Sequence, residues 1–217
     1  MSGEGARWMA GDASARGHEV RRPLFVAVTG PTASGKTTLA NGLSARLGAD
    51  LAVLSLDDLV IGRAALAATG RTVTDWDDPA LWRWDDLRGH LADLRAGRPT
   101  VVDARSRESR AAATASRRLV PAPVVLLVGH LALHDPATAR SFDVRVYLDL
   151  PEEELIQRRL SRPPAAENRE PYLTDTLLPA HRRLVLPQKA RATHILDATR
   201  PPDALADEVA ALVRRAG

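Results

Sequence analysis

Five short apolar runs punctuate an otherwise mixed chain: LFVAVT (24–29), LAVLSL (51–56), PVVLLVG (123–129), DVRVYLDL (143–150) and THILDA (193–198). Each has the length of a strand, and runs that are apolar on both faces belong to a sheet covered on both sides. Segments of helical period stand between them. TTLANGLSARLG follows the first run and closes at Gly48. PEEELIQRRL starts at Pro151 with three glutamates in its first turn, where they suit the helix dipole. Further helices are expected over about 172–186 and over PDALADEVAALVRRA. The pattern predicts an α/β fold with a five-stranded, mostly parallel sheet between two helical layers.

The second and third runs are separated by a long polar excursion. Its first part, RTVTDWDDPALWRWDDLRGHLADLRAGRPT, predicts a helix from about Leu81 to Arg95, stopped by Gly97 and Pro99. Its second part, VVDARSRESRAAATASRRLVPAP, reads as a short strand followed by an exposed, arginine-rich segment. Residues 1–22 are Gly, Ala, Ser and Arg without a sustained apolar period, so they are expected to extend from a single domain over 23–217.

Composition narrows the chemistry. A chain of 217 residues, 45% of them hydrophobic, can bury one sizeable core. The absence of cysteine excludes disulfides, thiolate metal sites and a cysteine nucleophile. No apolar run reaches membrane-spanning length and the first residues have no signal-peptide core, which makes a cytoplasmic protein the expectation. Thirty basic residues against 27 acidic ones give a formal charge of +3, with acids interspersed, so neither a nucleic acid nor a membrane is expected as partner. Only Lys36 and Lys189 are lysines, a scarcity that draws attention to what a compact ammonium would do at either position.

Lys36 falls in Gly30-Pro31-Thr32-Ala33-Ser34-Gly35-Lys36-Thr37, which satisfies the phosphate-loop pattern G-x-x-x-x-G-K-[ST] between a strand and a helix. Such a loop turns its N–H groups inward and adds the positive end of a helix. Gly30, Thr32, Ala33, Ser34, Gly35, Lys36, Thr37 and Thr38 are therefore the expected nucleotide-binding residues. Lys36 would reach the β/γ-phosphates, and the Thr37 hydroxyl would ligate Mg²⁺. Asp57 and Asp58 stand at the carboxyl end of the second run, on the same rim of a doubly wound sheet. A carboxylate there can take the proton of an attacking hydroxyl and help hold the metal, or it can cap the next helix. Asp75, Asp77 and Asp78 surround Trp76, an arrangement open to sugar binding or to an acidic capping turn. Trp76, Trp82 and Trp84 could line an acceptor wall or belong to the core.

Several of these motifs, in this order over about residues 23–200, resemble the uridine kinase branch of P-loop kinases and, more loosely, its phosphoribulokinase and pantothenate kinase relatives. GPTASGKTT is similar to the branch's phosphate loop and LSLDD to its strand-end aspartate motif. DWDDPALWRWDDLRGHLADLRAGRPTVV is similar to its substrate segment, FDVRVYLDLPEEELIQRRLSR to its fourth strand and arginine-bearing helix, and LVLPQKARATHIL to its closing segment. The resemblance implies a P-loop NTPase-type three-layer sandwich with Asp57 as general base and magnesium neighbour. It implies Asp77 at the ribose hydroxyls, with Trp76 and Asp103 in the same substrate segment. Arg159 and Arg162 would be charge-neutralising arginines of a short lid over about 160–172, and Arg169 a further lid contact. Assembly into a homo-oligomer is also an implication of the resemblance.

The chain departs from that pattern in three places. The glutamate expected before the glycine after the third run is replaced by Val128, and Asp58, Asp103 or Asp149 could take its place. The aromatic expected after the strand-end aspartates is missing, and the expected Tyr-Asp pair reads Val102-Asp103. A loop histidine has no counterpart around Arg105, Ser106 and Arg107. The expected activity is transfer of the γ-phosphoryl of ATP or GTP, with Mg²⁺, to a primary hydroxyl of a nucleoside-like small molecule. The alternatives are a kinase of a sugar phosphate or pantothenate-like alcohol, motivated by the altered base contacts, and a nucleotide-binding protein without transferase activity, motivated by Val128.

Overall fold

The computed structural model describes residues 22–61, 66, 77–104, 115–161 and 170–217. Trp76, Arg162, Arg169, Asp75 and Arg105 to Arg107, named above as candidates, lie outside the described residues, as do the first 21 positions.

Strand β1 (Leu24–Thr29) leads through the glycine-bearing loop into helix α1 (Lys36–Leu47), and β2 (Leu51–Ser55) follows. Helix α2 (Trp84–Arg95) precedes a hairpin of β3 (Thr100–Ala104) and β4 (Ala115–Leu119). Next come β5 (Val124–Val128), the one-turn α3 (Pro136–Ala139), β6 (Val144–Asp149) and α4 (Glu152–Leu160). A helical run from Glu170 to Arg191, strand β7 (His194–Asp197) and α5 (Pro202–Ala216) complete the chain.

The five principal strands form one parallel sheet in the order β2-β5-β1-β6-β7. Because side chains alternate along a strand, each strand contributes to two cores. On one face Phe25, Ala27, Leu54, Val125, Leu127 and Tyr147 pack with Leu87, Leu91 and Leu94 of α2. On the other face Val26, Val28, Leu126 and Val146 pack with Leu39 and Leu43 of α1 and Leu205 and Val209 of α5. This is the three-layer α/β sandwich that the apolar runs predict. Register places Ser55, Val128, Val28 and Val146 in one row across the sheet, so the residues just beyond them share a rim.

Three local expectations need correction. Helix α2 begins at Trp84 rather than Leu81, because Trp82 bridges Val60 and the backbones of Ile61 and Leu81 and of Arg83 and Leu59 are hydrogen-bonded. The preceding turn, Pro79–Leu81, is a separate 3₁₀ turn capped by Asp78. The arginine-rich segment ends in a second strand, β4, antiparallel to β3. Ser116, Arg117 and Arg118 give it no apolar run; it pairs through its backbone while Arg117 reaches Val53 O and Asp58. The helix expected over 172–186 is longer and includes π-helical stretches at Leu173–Leu177 and His181–Val185. Pro179 and Pro187, which lack an N–H, stand inside this run.

Candidate active site

The loop after β1 has the backbone of an anion cradle. Gly30 (φ 144°), Ala33 (φ 62°) and Gly35 (φ 86°) all have positive φ, a conformation that turns successive N–H groups toward one side. At Gly30 the glycine is required twice over, since an added Cβ would lie 2.6 Å from the carbonyl oxygen of Leu148. Helix α1 starts directly after the loop and carries no acidic residue in its first turn, which leaves its positive end unopposed. The Lys36 ammonium is drawn over the loop, donating to the carbonyls of Gly30 (3.0 Å) and Pro31 (2.6 Å). Ser34 is buried and its hydroxyl has no hydrogen-bond partner. A nucleotide's phosphates fit these features: inward N–H groups, a lysine at the mouth and an unsatisfied hydroxyl beneath.

Beside the loop lies a cavity of about 440 Å³. Thr32, Ala33, Gly35, Lys36, Thr37 and Thr38 form its phosphate-loop side, and Asp57 and Asp77 bring carboxylates to it. Asp57 follows β2 in a 3₁₀ turn, its N–H donating to Ser55 Oγ. That turn can approach the end of β5 because Gly129 has no side chain: a Cβ there would lie 2.4 Å from Leu56 Cβ. Arg159 from α4, Tyr172 and His181 from the long helical run, and His130 from beyond β5 also line the cavity.

His181 is buried, its Nδ1 has no hydrogen-bond partner, and burial pushes its pKa below the ordinary value of 6.5. His130 Nε2 stands 3.1 Å from Asp77 Oδ1, and the ring meets the edge of Trp82 at 5.1 Å between centroids. The main chain at His130 is held by Gln188, which donates to His130 O (2.8 Å) and Leu184 O (3.0 Å) and accepts from Leu133 N (2.9 Å). The Thr29 hydroxyl is within hydrogen-bonding distance of both Gln188 Oε1 and His130 O.

A second cavity, of about 270 Å³, lies on another side of the loop, reached from Ser34 and Gly35 and walled by Arg158, Thr199, Arg200 and Pro201. Arg158 joins these parts, donating to Glu154, to Ala33 O of the phosphate loop and to Ala198 O beyond β7.

Of the residues expected from sequence, the structure brings Lys36, Thr37, Asp57, Asp77 and Arg159 into one cavity. Asp103 is not among the lining residues; its carboxylate accepts from Ser116 across the hairpin. Trp82 is buried in the core behind His130, and Trp84 is bonded to Pro79 O, facing His134. None of the three substitutes considered for the glutamate missing at Val128 reaches the cavity. Asp58 faces Arg117, Asp149 is bonded to Lys189, and Asp103 is held as described. Sequence reasoning missed His130, His181 and Arg158. The first had a local signal, its place directly after Val128-Gly129; the other two sit on helical faces that only packing identifies.

For magnesium, Thr37 and Asp57 are suitable oxygen donors on one cavity, and among the described residues no cluster of three or more acidic or histidine side chains is built to cage a metal. That sparse set fits an ion which keeps waters and shares phosphate oxygens, as Mg²⁺ does. Also among the described residues, no helix is long and apolar enough to cross a membrane.

Comparison with known proteins agrees with this geometry. The family model described as AAA domain matches residues 26–172. The uridine kinase of Ureaplasma urealyticum is 25% identical over 179 residues, 79% of this chain and 86% of that one. The uridine kinase of Deinococcus deserti is 28% identical over 182 residues, 81% and 87% of the two chains. Among solved structures, a possible uridine kinase from Bacillus stearothermophilus superposes with a TM-score of 0.55 at 26% identity, covering 81% of this chain and 89% of its own. With its phosphate loop, parallel sheet and strand-end carboxylate, the chain belongs to the AAA domain family of P-loop proteins, and it resembles the uridine kinase-like branch of P-loop kinases.

Proposed function

We propose that the protein transfers the γ-phosphoryl group of ATP or GTP to a primary hydroxyl of a nucleoside-like small molecule. The observation that carries this reading is the single cavity in which Lys36 and Thr37 of the phosphate loop meet the carboxylates of Asp57 and Asp77. The loop and Lys36 hold the donor's phosphates, and the second cavity, continuous with Ser34 and Gly35, is the space left for the donor's nucleoside. Asp57 accepts the proton of the acceptor hydroxyl and orients its oxygen toward the phosphorus. Asp77 holds other hydroxyls of the acceptor. Arg159 and Lys36 offset the charge of the transferring group, the larger share of catalysis in phosphoryl transfer. Thr37 and Asp57 would hold Mg²⁺, which would supply charge neutralisation to the donor's phosphates.

A second reading, phosphorylation of a non-nucleoside alcohol such as a sugar phosphate, is favoured by one observation. Tyr172 is the only phenylalanine, tyrosine or tryptophan among the described lining residues, so the described wall offers little broad face for a base.

The test is incubation with ATP and Mg²⁺ against nucleosides, sugar phosphates and pantothenate, following ADP. Turnover dependent on uridine or cytidine is the expected result. Turnover with non-nucleosides alone replaces it with the second reading, and tight ATP binding with no acceptor-dependent turnover replaces both with a binding protein.

A further inference from the structure

Arg83 stands where local rules disfavour an arginine. It is the N-cap of α2, a place for a short oxygen-bearing side chain, and it makes no side-chain cap bond. Its cation also sits at the positive end of the helix dipole. Asp86 in the first turn offsets that charge, accepting from Nη1 at 2.5 Å. The Nε–H is buried with no hydrogen-bond partner, a further cost of placing a guanidinium here. Long-range contacts explain what local ones do not. Nη2 donates to the carbonyl of Asp58 (3.2 Å), in the turn after β2, and to the carbonyl of Asp103 (3.1 Å), on β3 of the hairpin.

Asp58 is held from a second side. Arg117 of β4 donates to its Oδ2 (3.3 Å) and, through both terminal nitrogens, to Val53 O of β2 (3.1 Å each). The turn in question, Leu56–Leu59, is a four-residue 3₁₀ segment, a form whose own hydrogen bonds are poor. Its closing bond, from Val60 N–H to Asp57 O, is stretched to 3.5 Å. Leu56 and Leu59 anchor the apolar side of the turn in the core, and the two arginines anchor its polar side. Asp57, one residue before the anchored Asp58, is the carboxylate that this turn brings to the cavity.

We propose that Arg83 and Arg117 are positioning residues that clamp Asp58, set the carboxylate of Asp57 on the cavity wall and tie it to the β3–β4 hairpin; that this carboxylate accepts a proton rests on the kinase reading above. Asp58 is then the grip of the clamp and not a second catalytic carboxylate, which accounts for its bond to Arg117 away from the cavity. Because one nitrogen of Arg83 holds both Asp58 O and Asp103 O, the turn and the hairpin keep a fixed separation. A proton acceptor displaced by about 1 Å can lose on the order of 10²-fold in rate. The phosphate loop follows a different strand, β1, so its grip on the donor does not depend on the clamp.

Two substitutions test this role. Arg83→Met keeps a long side chain and removes the donors, while Arg83→Lys keeps the charge on an ammonium that lacks the guanidinium's fork. With whichever acceptor the wild type phosphorylates, Arg83→Met should lower kcat about 10- to 100-fold and leave the KM for ATP nearly unchanged, and Arg83→Lys should recover part of the loss. In an Asp57→Asn background, Arg83→Met should change kcat by less than about 2-fold, because the group it positions is gone. Similar falls in both backgrounds, an unchanged kcat, or a parallel rise in the KM for ATP overturns the proposal.

A measurement on the protein without nucleotide completes the test. The side-chain carboxyl resonance that disappears in Asp57→Asn should move in Arg83→Lys and in Arg117→Met. A resonance that stays in place in both overturns the proposal, even if Arg83→Met fails to fold. Movement of that resonance in a protein with no acceptor-dependent ADP release would remove the kinase reading and retain the clamp. Turnover with a kcat indifferent to both Arg83 substitutions would do the reverse.

Discussion

At Asp57 the short 3₁₀ turn after β2 gives a carboxylate a fixed place on the cavity wall. Replacing it with Asn keeps the size and removes the proton acceptor of the proposed mechanism. Asp57→Asn should leave ATP affinity nearly intact and lower kcat by about 10²- to 10⁴-fold, as measured by steady-state kinetics beside nucleotide titration. Lys36→Ala should weaken ATP binding and abolish turnover together, because its ammonium lies over the phosphate loop itself. Both residues are legible in the sequence, since local spacing along one strand, loop and helix fixes their relation. His130 is not legible in that way. Its partner Asp77 is 53 positions earlier, and the two meet only after β5 has inserted between β1 and β2. Asp103 shows the converse: its place in a recognisable segment says nothing of the hairpin partner, Ser116, that occupies its carboxylate.

Among the elements, the strands were legible because each is a short run rich in apolar residues, β1 and β5 being buried throughout, and all five fall within two residues of the expected limits. Strand β4 escaped detection because its pairing is with the backbone of β3 and its side chains are largely polar and exposed. In the helical run after Glu170 the buried residues Leu173, Leu177, Leu178, Ala180, His181, Leu184 and Val185 keep the spacing of one helix face, which made the helix legible, while the π-helical stretches within it have no counterpart in that spacing; His181 on this face reaches the cavity. Loop geometry has its own test at Gly30. There Gly30→Ala combines a positive φ with a clash on the Leu148 carbonyl, so it should destabilise the protein by more than about 1 kcal/mol in denaturant unfolding and weaken ATP binding.

For the molecule as a whole, nucleotide binding and folding are linked, because the phosphate loop joins two elements of the core, β1 and α1. At a free ATP concentration of 100 Kd the stabilisation is about 2.7 kcal/mol, which for a chain of this size raises Tm by roughly 5–10 °C in a thermal scan. Acid should act in the opposite direction. Burial lowers the pKa of His90, His134 and His181 below 6.5, so in the window just under 6.5 the unfolded chain binds more protons than the folded one. Stability is therefore full above about pH 6.5 and falls as pH drops through that window. Glu152, paired with Arg182, and Asp207, bonded to Arg46, extend the loss below their ordinary values of 4.5 and 3.8. Urea midpoints should hold between pH 7.5 and about pH 6.5 and decline from there to pH 4, with a shallower decline between about pH 6.5 and pH 5 in His134→Gln. Gln188 carries a constraint of another kind. Its carboxamide has two donors and two acceptor sites; it donates to two carbonyls and accepts from Leu133 N–H, with the Thr29 hydroxyl at its remaining acceptor site. The group can face only one way round, since turning it over would set amide hydrogens against an N–H and oxygen against two carbonyls. A glutamate of the same shape would meet the same conflict, so a single neutral amide keys the strand ends to the closing helical run, and neither charge nor orientation there is free to vary.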